Sequence, residues 1–254
     1  MILPQHSRPA LGVVSCVLFD MDGTLLDSAP GVTRSAAAAL AAVGAPVPSE
    51  RVLRGFVGPP MIQSFRSVAG LDEPTAQLAL RRYRAAYAAQ GAEQSRPYDG
   101  IAGLLQEIQR AGIPMAVATS KVEDQAVRLA RRFGLAERFI TVCGASDSEG
   151  RATKDEVIAE ALSRLEALGT DVSKPVMVGD RSYDVAGAAS HGIPTIFVSW
   201  GYGKVEEASG ATAVADSPAA LLPLLLANGC GSAGRSGGIS RSTARSTSGA
   251  TPGG

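Results

Sequence analysis

Hydrophobic and polar positions divide the chain into stretches of different period. Val13 to Phe19 is apolar and β-branched, with no charge, Gly or Pro, which predicts a strand buried on both faces, as in a parallel sheet. From Gly31 to Val43 the composition turns to alanine, predicting a closely packed helix that ends at Gly44 and the Pro46/Pro48 pair. A second helix is expected over Ser49 to Arg54. The run Gly55-Phe56-Val57-Gly58-Pro59-Pro60 keeps neither period and predicts a loop, a rigid segment able to close over a site. Asp72-Glu73-Pro74 opens a further helix, with Ala76, Leu80, Tyr83 and Tyr87 on one face and Arg81, Arg82 and Arg84 on a solvated one. Residues 28–96 therefore read as a helical block without a strand.

From Pro97 the texture alternates. A one-faced helix carries Ile101, Leu104, Leu105 and Ile108 and ends at Gly112, ahead of a buried strand Met115 to Thr119. A helix with Ala126, Leu129, Ala130 and Phe133 precedes a strand from Phe139 to Cys143, and Lys154 to about Leu168 is helical. Strands at Val176–Val178 and Thr195–Val198 flank a short helix from Tyr183 to Ala189. Strands and helices alternating at this spacing predict an α/β fold, a doubly wound parallel sheet of Rossmann-like type, with an all-helical insertion after the first strand. Right-handed crossovers put a ligand site outside the carboxyl ends of such strands. The expected organisation is a leader at 1–12, an α/β core from 13–27 and 97–228, a helical cap at 28–96 and a Gly/Ser/Arg tail at 229–254, too poor in apolar residues to order.

Composition narrows the partners. The 254 residues carry 24 basic and 24 acidic side chains, so nothing marks a nucleic-acid or anionic-membrane footprint and a small molecule is the expected partner. The apolar runs fall short of the roughly 18 residues a membrane span needs. Residues 1–12 lack the apolar stretch of a secretory signal. Cys16, Cys143 and Cys230 lie far apart without C-x-x-C spacing, a reduced pattern that suggests the cytoplasm. With only His6 and His191, a zinc cluster is not expected, and no phosphate-binding glycine loop occurs. The choice between monomer and dimer stays open.

The chemistry sits at the strand ends. Asp20 and Asp22 follow the first strand two residues apart, on one side if the backbone stays extended, and Gly23 permits a sharp turn beyond them. Two acids that close raise each other's pKa and need a cation or a catalytic task. Then come Thr119-Ser120, Lys154, and Gly179-Asp180-Arg181-Ser182-Tyr183-Asp184. Each has a blander use: Thr119-Ser120-Lys121 as a helix N-cap, Lys154 as a surface lysine, Gly179-Asp180 as a turn, Asp184 as a first-turn acid.

The run Asp20-Met21-Asp22-Gly23-Thr24-Leu25 resembles the first motif of the haloacid dehalogenase-like phosphatases, and the other three groups match the remaining motifs in order. The resemblance implies Asp20 as nucleophile and Asp22 as general acid and base. It implies Mg2+ held by Asp20, the Asp22 backbone carbonyl and Asp180, with Asp184 binding it or orienting its waters. Lys154 would pair with Asp20 and the phosphoryl oxygens, and Gly23, Thr119 and Ser120 would cradle the rest. Over residues 13–228 the chain resembles the phosphoglycolate phosphatase-like group. Phe56 to Pro60 with Ser64-Phe65, Asp147 to Lys154, and Trp200-Gly201-Tyr202-Gly203 resemble a 5′-nucleotidase-like subgroup. The expected activity is hydrolysis of a small phosphate ester through an aspartyl phosphate. A phosphosugar mutase and a non-catalytic phospholigand-binding protein are the alternatives; a dehalogenase is disfavoured, having no alkoxide for Asp22 to protonate.

Overall fold

The computed structural model describes residues 12–226. The leader and the tail with Cys230 therefore lie outside the described residues, apart from Gly12. Strand β1 is Cys16–Phe19, and its alternating side chains serve two cores. Val17 and Phe19 face one apolar cluster, Cys16 and Leu18 the other. The strand is shorter than expected because its partners run out: Met115 pairs with Val17 and Pro175 with Cys16, leaving Val13 exposed.

Beyond β1 come β2 (Leu26–Asp27), then helices α1 (Ala29–Ala42), α2 (Glu50–Arg54), α3 (Met61–Ser67) and α4 (Glu73–Ala89). The Asp72 carboxylate caps α4 by accepting from Thr75 N at 3.0 Å. These helices share their own apolar cluster, in which Phe65 packs edge-on against Phe56 and Tyr83. Gly31 is required in α1, because a Cβ there would strike the Gly91 carbonyl. Helix α3 was not expected, since its seven residues are too few to establish a period.

Strand β3 (Arg96–Pro97) pairs antiparallel with β2, so the chain leaves and returns through a two-residue ribbon. Arg96, the last residue of the supposedly strandless block, belongs to it. The rest is α5 (Ile101–Arg110), β4 (Met115–Val122), α6 (Glu123–Arg132), β5 (Thr141–Ala145), α7 (Lys154–Ala167), β6 (Pro175–Gly179), α8 (Ser182–Ala189), β7 (Thr195–Val198), β8 (Ala213–Ala215) and α9 (Pro218–Leu226). The six-stranded sheet runs β5-β4-β1-β6-β7-β8 and every pairing in it is parallel. Helices α5, α6 and α9 cover one face, α7 and α8 the other, so the doubly wound architecture is as expected. Strand order changes direction around β1, which places a crevice at its carboxyl end.

Two further elements escaped the pattern. The Ala-Val-Ala of β8 has too little apolar content to stand out, and Pro223 inside α9 reads as a breaker. Among the described residues, no helix is long and apolar enough to cross a membrane.

Phe65 is fully buried with two aromatic partners, so Phe65→Ala should cost about 3–5 kcal/mol by removing contacts and leaving a cavity. Urea unfolding followed by circular dichroism measures this, and a loss below about 1 kcal/mol would show that the helical cluster repacks freely.

Candidate active site

The carboxyl ends of β1, β4 and β6 and the start of α7 converge on one buried cluster. Asp20 follows β1, Asp180 follows β6, and Asp184 lies in the first turn of α8. One carboxylate oxygen from each lies within 4.8 Å of the others. Lys154, the first residue of α7, reaches back between them. Its Nζ is 2.6 Å from Asp20 Oδ1, 2.6 Å from Asp184 Oδ1 and 2.7 Å from the Ala118 carbonyl. The start of α7 is fixed by Glu156, which accepts from the N–H groups of Thr153 at 2.9 Å and Ala152 at 2.7 Å. Gly187 supplies the gap through which the lysine stem passes, since a Cβ there would sit 2.9 Å from Lys154 Cγ.

Glycines also make room for Asp180. A Cβ at Gly23 or at Gly201 would collide with its carboxylate. Asp180 Oδ1 accepts from Thr24 Oγ1 at 3.2 Å, and Oδ2 accepts from Tyr202 N at 2.7 Å. Gly23 has φ 94° and gives its N–H to the Leu26 carbonyl at 2.8 Å. The phosphate cradle that the resemblance implies for this turn uses the N–H groups that follow Gly23. The turn that follows β1 uses the N–H of Gly23 itself, and the missing side chain leaves space beside Asp180.

Asp22 stands apart from this cluster. Its Oδ2 is 2.8 Å from Lys121 Nζ, while Oδ1 is buried without a hydrogen-bond partner. Lys121 also donates to the Tyr87 hydroxyl at 3.0 Å, so α4 reaches the carboxylate of Asp22 through one intermediary. Thr119 is buried, its Oγ1 accepting from Lys121 N at 3.3 Å, and Ser120 lines the cavities beside the cluster. The alternative use of Thr119-Ser120-Lys121 as a helix N-cap is not the one taken. Strand β4 continues, with a bulge, through Val122, which itself precedes α6.

The electrostatics follow from burial. Burial raises Asp20; Lys154 offsets part of the rise, Asp184 and Asp22 add to it, and the carboxyl is pushed up to about 6. Asp180 is held well above the ordinary carboxylate range by burial and by Asp184 and Asp20. Burial opposes the charge on Lys154, yet Asp184 and Asp20 outweigh it and take the ammonium up to about 12. Lys121 likewise stays charged against burial, chiefly because of Asp22.

Several contributors take their roles from partners distant along the chain. Tyr202 donates to Asp27 Oδ1 at 2.8 Å and accepts from the N–H groups of Ser28 at 2.7 Å and Ala29 at 2.9 Å. It thus joins the exit of β2 to the loop that holds Asp180. Arg181 donates to the Val57 carbonyl and pairs with Glu207 at 2.9 Å, docking the loop that contains Gly58-Pro59-Pro60. Arg84 is not simply solvated. It makes a two-pronged contact with Asp147, at 2.6 and 3.2 Å. Asp147 is presented by a turn that buried Arg151 braces, through the Gly144 carbonyl at 2.8 Å and Glu123 at 2.8 Å.

Such a site can activate a carboxylate nucleophile, balance it with an ammonium and hold a divalent cation on hard oxygen donors. The donor set fits: three buried carboxylates against one ammonium leave an excess of negative charge that an oxygen-coordinated cation would neutralise.

Comparison with known proteins agrees with the geometry. Residues 17–198 match the family described as haloacid dehalogenase-like hydrolase. The chain belongs to that family. It is 46% identical over 190 residues to the tyrosine-protein kinase PtkA of Mycobacterium tuberculosis, an alignment covering 75% of this chain and 64% of the kinase. It therefore spans less than two thirds of that relative's length. It is 36% identical to a 5′-nucleotidase of Pseudomonas aeruginosa, covering 75% of this chain and 85% of the relative. A crystal structure of a predicted phosphatase from Clostridium acetobutylicum superposes with a TM-score of 0.80 at 36% identity, over 85% of this chain and all of that one.

Protons and a cation compete for these carboxylates. Without metal, the raised value of Asp20 means the native state holds more protons than the unfolded one between roughly pH 4 and 6, so stability falls as pH rises through that window. Added Mg2+ should reverse the trend. Its apparent affinity, read from the shift in Tm, should fall about tenfold per competing proton as pH drops from 7 to 5. An affinity independent of pH would show that the cation binds elsewhere.

Proposed function

We propose that this protein is a Mg2+-dependent phosphomonoesterase that hydrolyses a small phosphometabolite, phosphoglycolate-like or a nucleoside 5′-monophosphate, through an aspartyl phosphate on Asp20. The observation that carries the reading is Asp20 itself. It is a buried carboxylate paired with Lys154 at 2.6 Å, beside two further acids and next to a second carboxylate with one unpartnered oxygen. Asp20, Asp180 and Asp184, with the Asp22 backbone carbonyl, would hold Mg2+, which when bound supplies the positive charge that lets a carboxylate approach a phosphate dianion.

The chain's own groups do the rest. Lys154 holds the nucleophile in place and offers positive charge to the transferring oxygens. Thr119 and Ser120 lie in the bulged carboxyl-terminal part of β4, where hydroxyl and backbone donors can receive the phosphoryl group. Asp20 attacks in line, forming an O–P bond as the ester O–P bond breaks, and Asp22 gives its proton to the leaving alcohol. Water then attacks the acyl phosphate. Asp22 takes the proton from that water, and inorganic phosphate leaves with Asp20 restored. The helical segment 28–96 acts as a cap over this end of the sheet, its Tyr87 contacting Lys121 and its Val57 carbonyl contacting Arg181.

A second reading is transfer of a phosphoryl group to a protein tyrosine, favoured by the identity to the tyrosine-protein kinase PtkA. The two separate cleanly. Hydrolysis predicts free phosphate from ester substrates without a protein acceptor, whereas the kinase reading predicts label from ATP on tyrosine and little release from esters.

The test is a phosphate-release screen over phosphoglycolate, nucleoside monophosphates and sugar phosphates, with and without Mg2+. Asp20→Asn should lower kcat by at least about 10³-fold, as loss of a covalent nucleophile does, while Mg2+-dependent ligand binding persists. Near-normal turnover by that variant would end the covalent mechanism.

A further inference from the structure

Next to the carboxylate cluster lies a second cavity of about 350 Å³, with Asp22 and Lys121 in its wall. Asp22 is the residue to which the proposed reaction assigns the leaving alcohol, so this cavity is where that alcohol must sit. Most of its lining is apolar: Val32, Phe56, Met61, Ile62, Leu80 and Tyr83 come from the helical segment. Its polar neutral groups include Gln77, Ser120 and Gln125.

The charges decide what the cavity accepts. Two cationic side chains line it, Lys121 and Arg84. Both are already matched. Lys121 lies 2.8 Å from Asp22, and Arg84 makes its two contacts with Asp147 at 2.6 and 3.2 Å. A leaving group bearing a carboxylate or a second phosphate would draw Lys121 away from Asp22, the residue that must meet the alcohol, and would have to take Arg84 from Asp147. An uncharged ring would instead replace water against Phe56, Leu80 and Tyr83.

We propose that the alcohol released by this enzyme is uncharged and ring-bearing, such as a nucleoside or an aryl-substituted alcohol, and that esters of anionic alcohols such as phosphoglycolate are poor substrates. This rests on the phosphomonoesterase reading above and chooses between the two substrate types that reading leaves open. The exclusion comes from pairing rather than from size, since a cavity of this volume admits glycolate easily.

The experiment compares benzyl phosphate with phosphoglycolate on the full chain with Mg2+. Both leave as alkoxides, so differences in leaving-group ability do not mask the cavity's preference. Benzyl phosphate and nucleoside 5′-monophosphates should show kcat/KM at least tenfold above phosphoglycolate. Equal or better turnover of phosphoglycolate overturns the proposal. Asp147→Asn, on an exposed side chain, releases Arg84 and should lower the ratio of benzyl phosphate to phosphoglycolate kcat/KM at least threefold. An unchanged ratio shows that charge pairing does not set the preference and also overturns it. Calorimetric binding to the Asp20→Asn variant keeps the two readings distinguishable. If no ester is hydrolysed by the native protein, the reaction reading fails, yet benzyl phosphate binding at least tenfold tighter than phosphoglycolate still supports the cavity's preference, and the reverse order refutes it.

Discussion

Lys154 stands between Asp20 and Asp184, and most of the molecule can be understood from what that ammonium requires. Burying one charge with its partner is close to break-even, because desolvation costs on the order of several kcal/mol per ion and the mutual attraction only offsets it. Here a third acid, Asp180, joins without a cation of its own, so the cluster is destabilising as it stands. The fold tolerates it by anchoring every member rigidly. Asp180 is clamped by Thr24 and Tyr202, Asp184 Oδ2 accepts from Arg181 N at 3.0 Å, and Lys154 begins a helix whose first turn is itself capped. Rigidity prevents the carboxylates from relaxing away from one another, and it is this that keeps the site ready for a cation.

The second constraint is how the helical segment stays in communication with the chemistry. Its connection to the sheet is only the β2–β3 ribbon, two residues on each strand. Such a ribbon supplies little stability, so orientation must come from contacts elsewhere. Among them are Tyr87 on Lys121, Val57 on Arg181, and Arg84 on Asp147. The first is buried, and its lysine is the partner of Asp22. The last is largely exposed and worth little in water. Position over the site is therefore set mainly by the inner contacts, while the outer one is easily traded.

Legibility in the sequence followed the range of the interactions. Strands and helices of the α/β part could be read because their apolar positions repeat with a local period, and Asp20, Lys154 and Asp180 because they fall in order at strand ends. Lys121 could not be read. Its importance comes from Asp22 and Tyr87, which are far away along the chain, and within Thr119-Ser120-Lys121 it looked like the start of a helix. Arg84 was read as solvated for the same reason, its partner Asp147 lying 63 residues on. The two-residue ribbon and β8 are too short for any period, and Val13 and Val14 were taken into a strand whose end is decided by its neighbours rather than by its own composition. The hydrogen bond from Gly23 to Leu26 and the space that Gly23 leaves for Asp180 are invisible in a motif.

Tyr202 shows how the sheet and the helical segment are made interdependent. Its backbone N–H holds Asp180, and its hydroxyl accepts from the two N–H groups at the start of α1 while donating to Asp27. The ring spans the distance between the Asp180 carboxylate and the point where the chain leaves the sheet. Any movement of α1 relative to the sheet must therefore either break the hydroxyl's hydrogen bonds or pull on the loop that carries the N–H to Asp180. Buried or half-buried hydrogen bonds of this kind cost more to leave unmade than they contribute when formed. The junction between α1 and the sheet is accordingly stiff at this end.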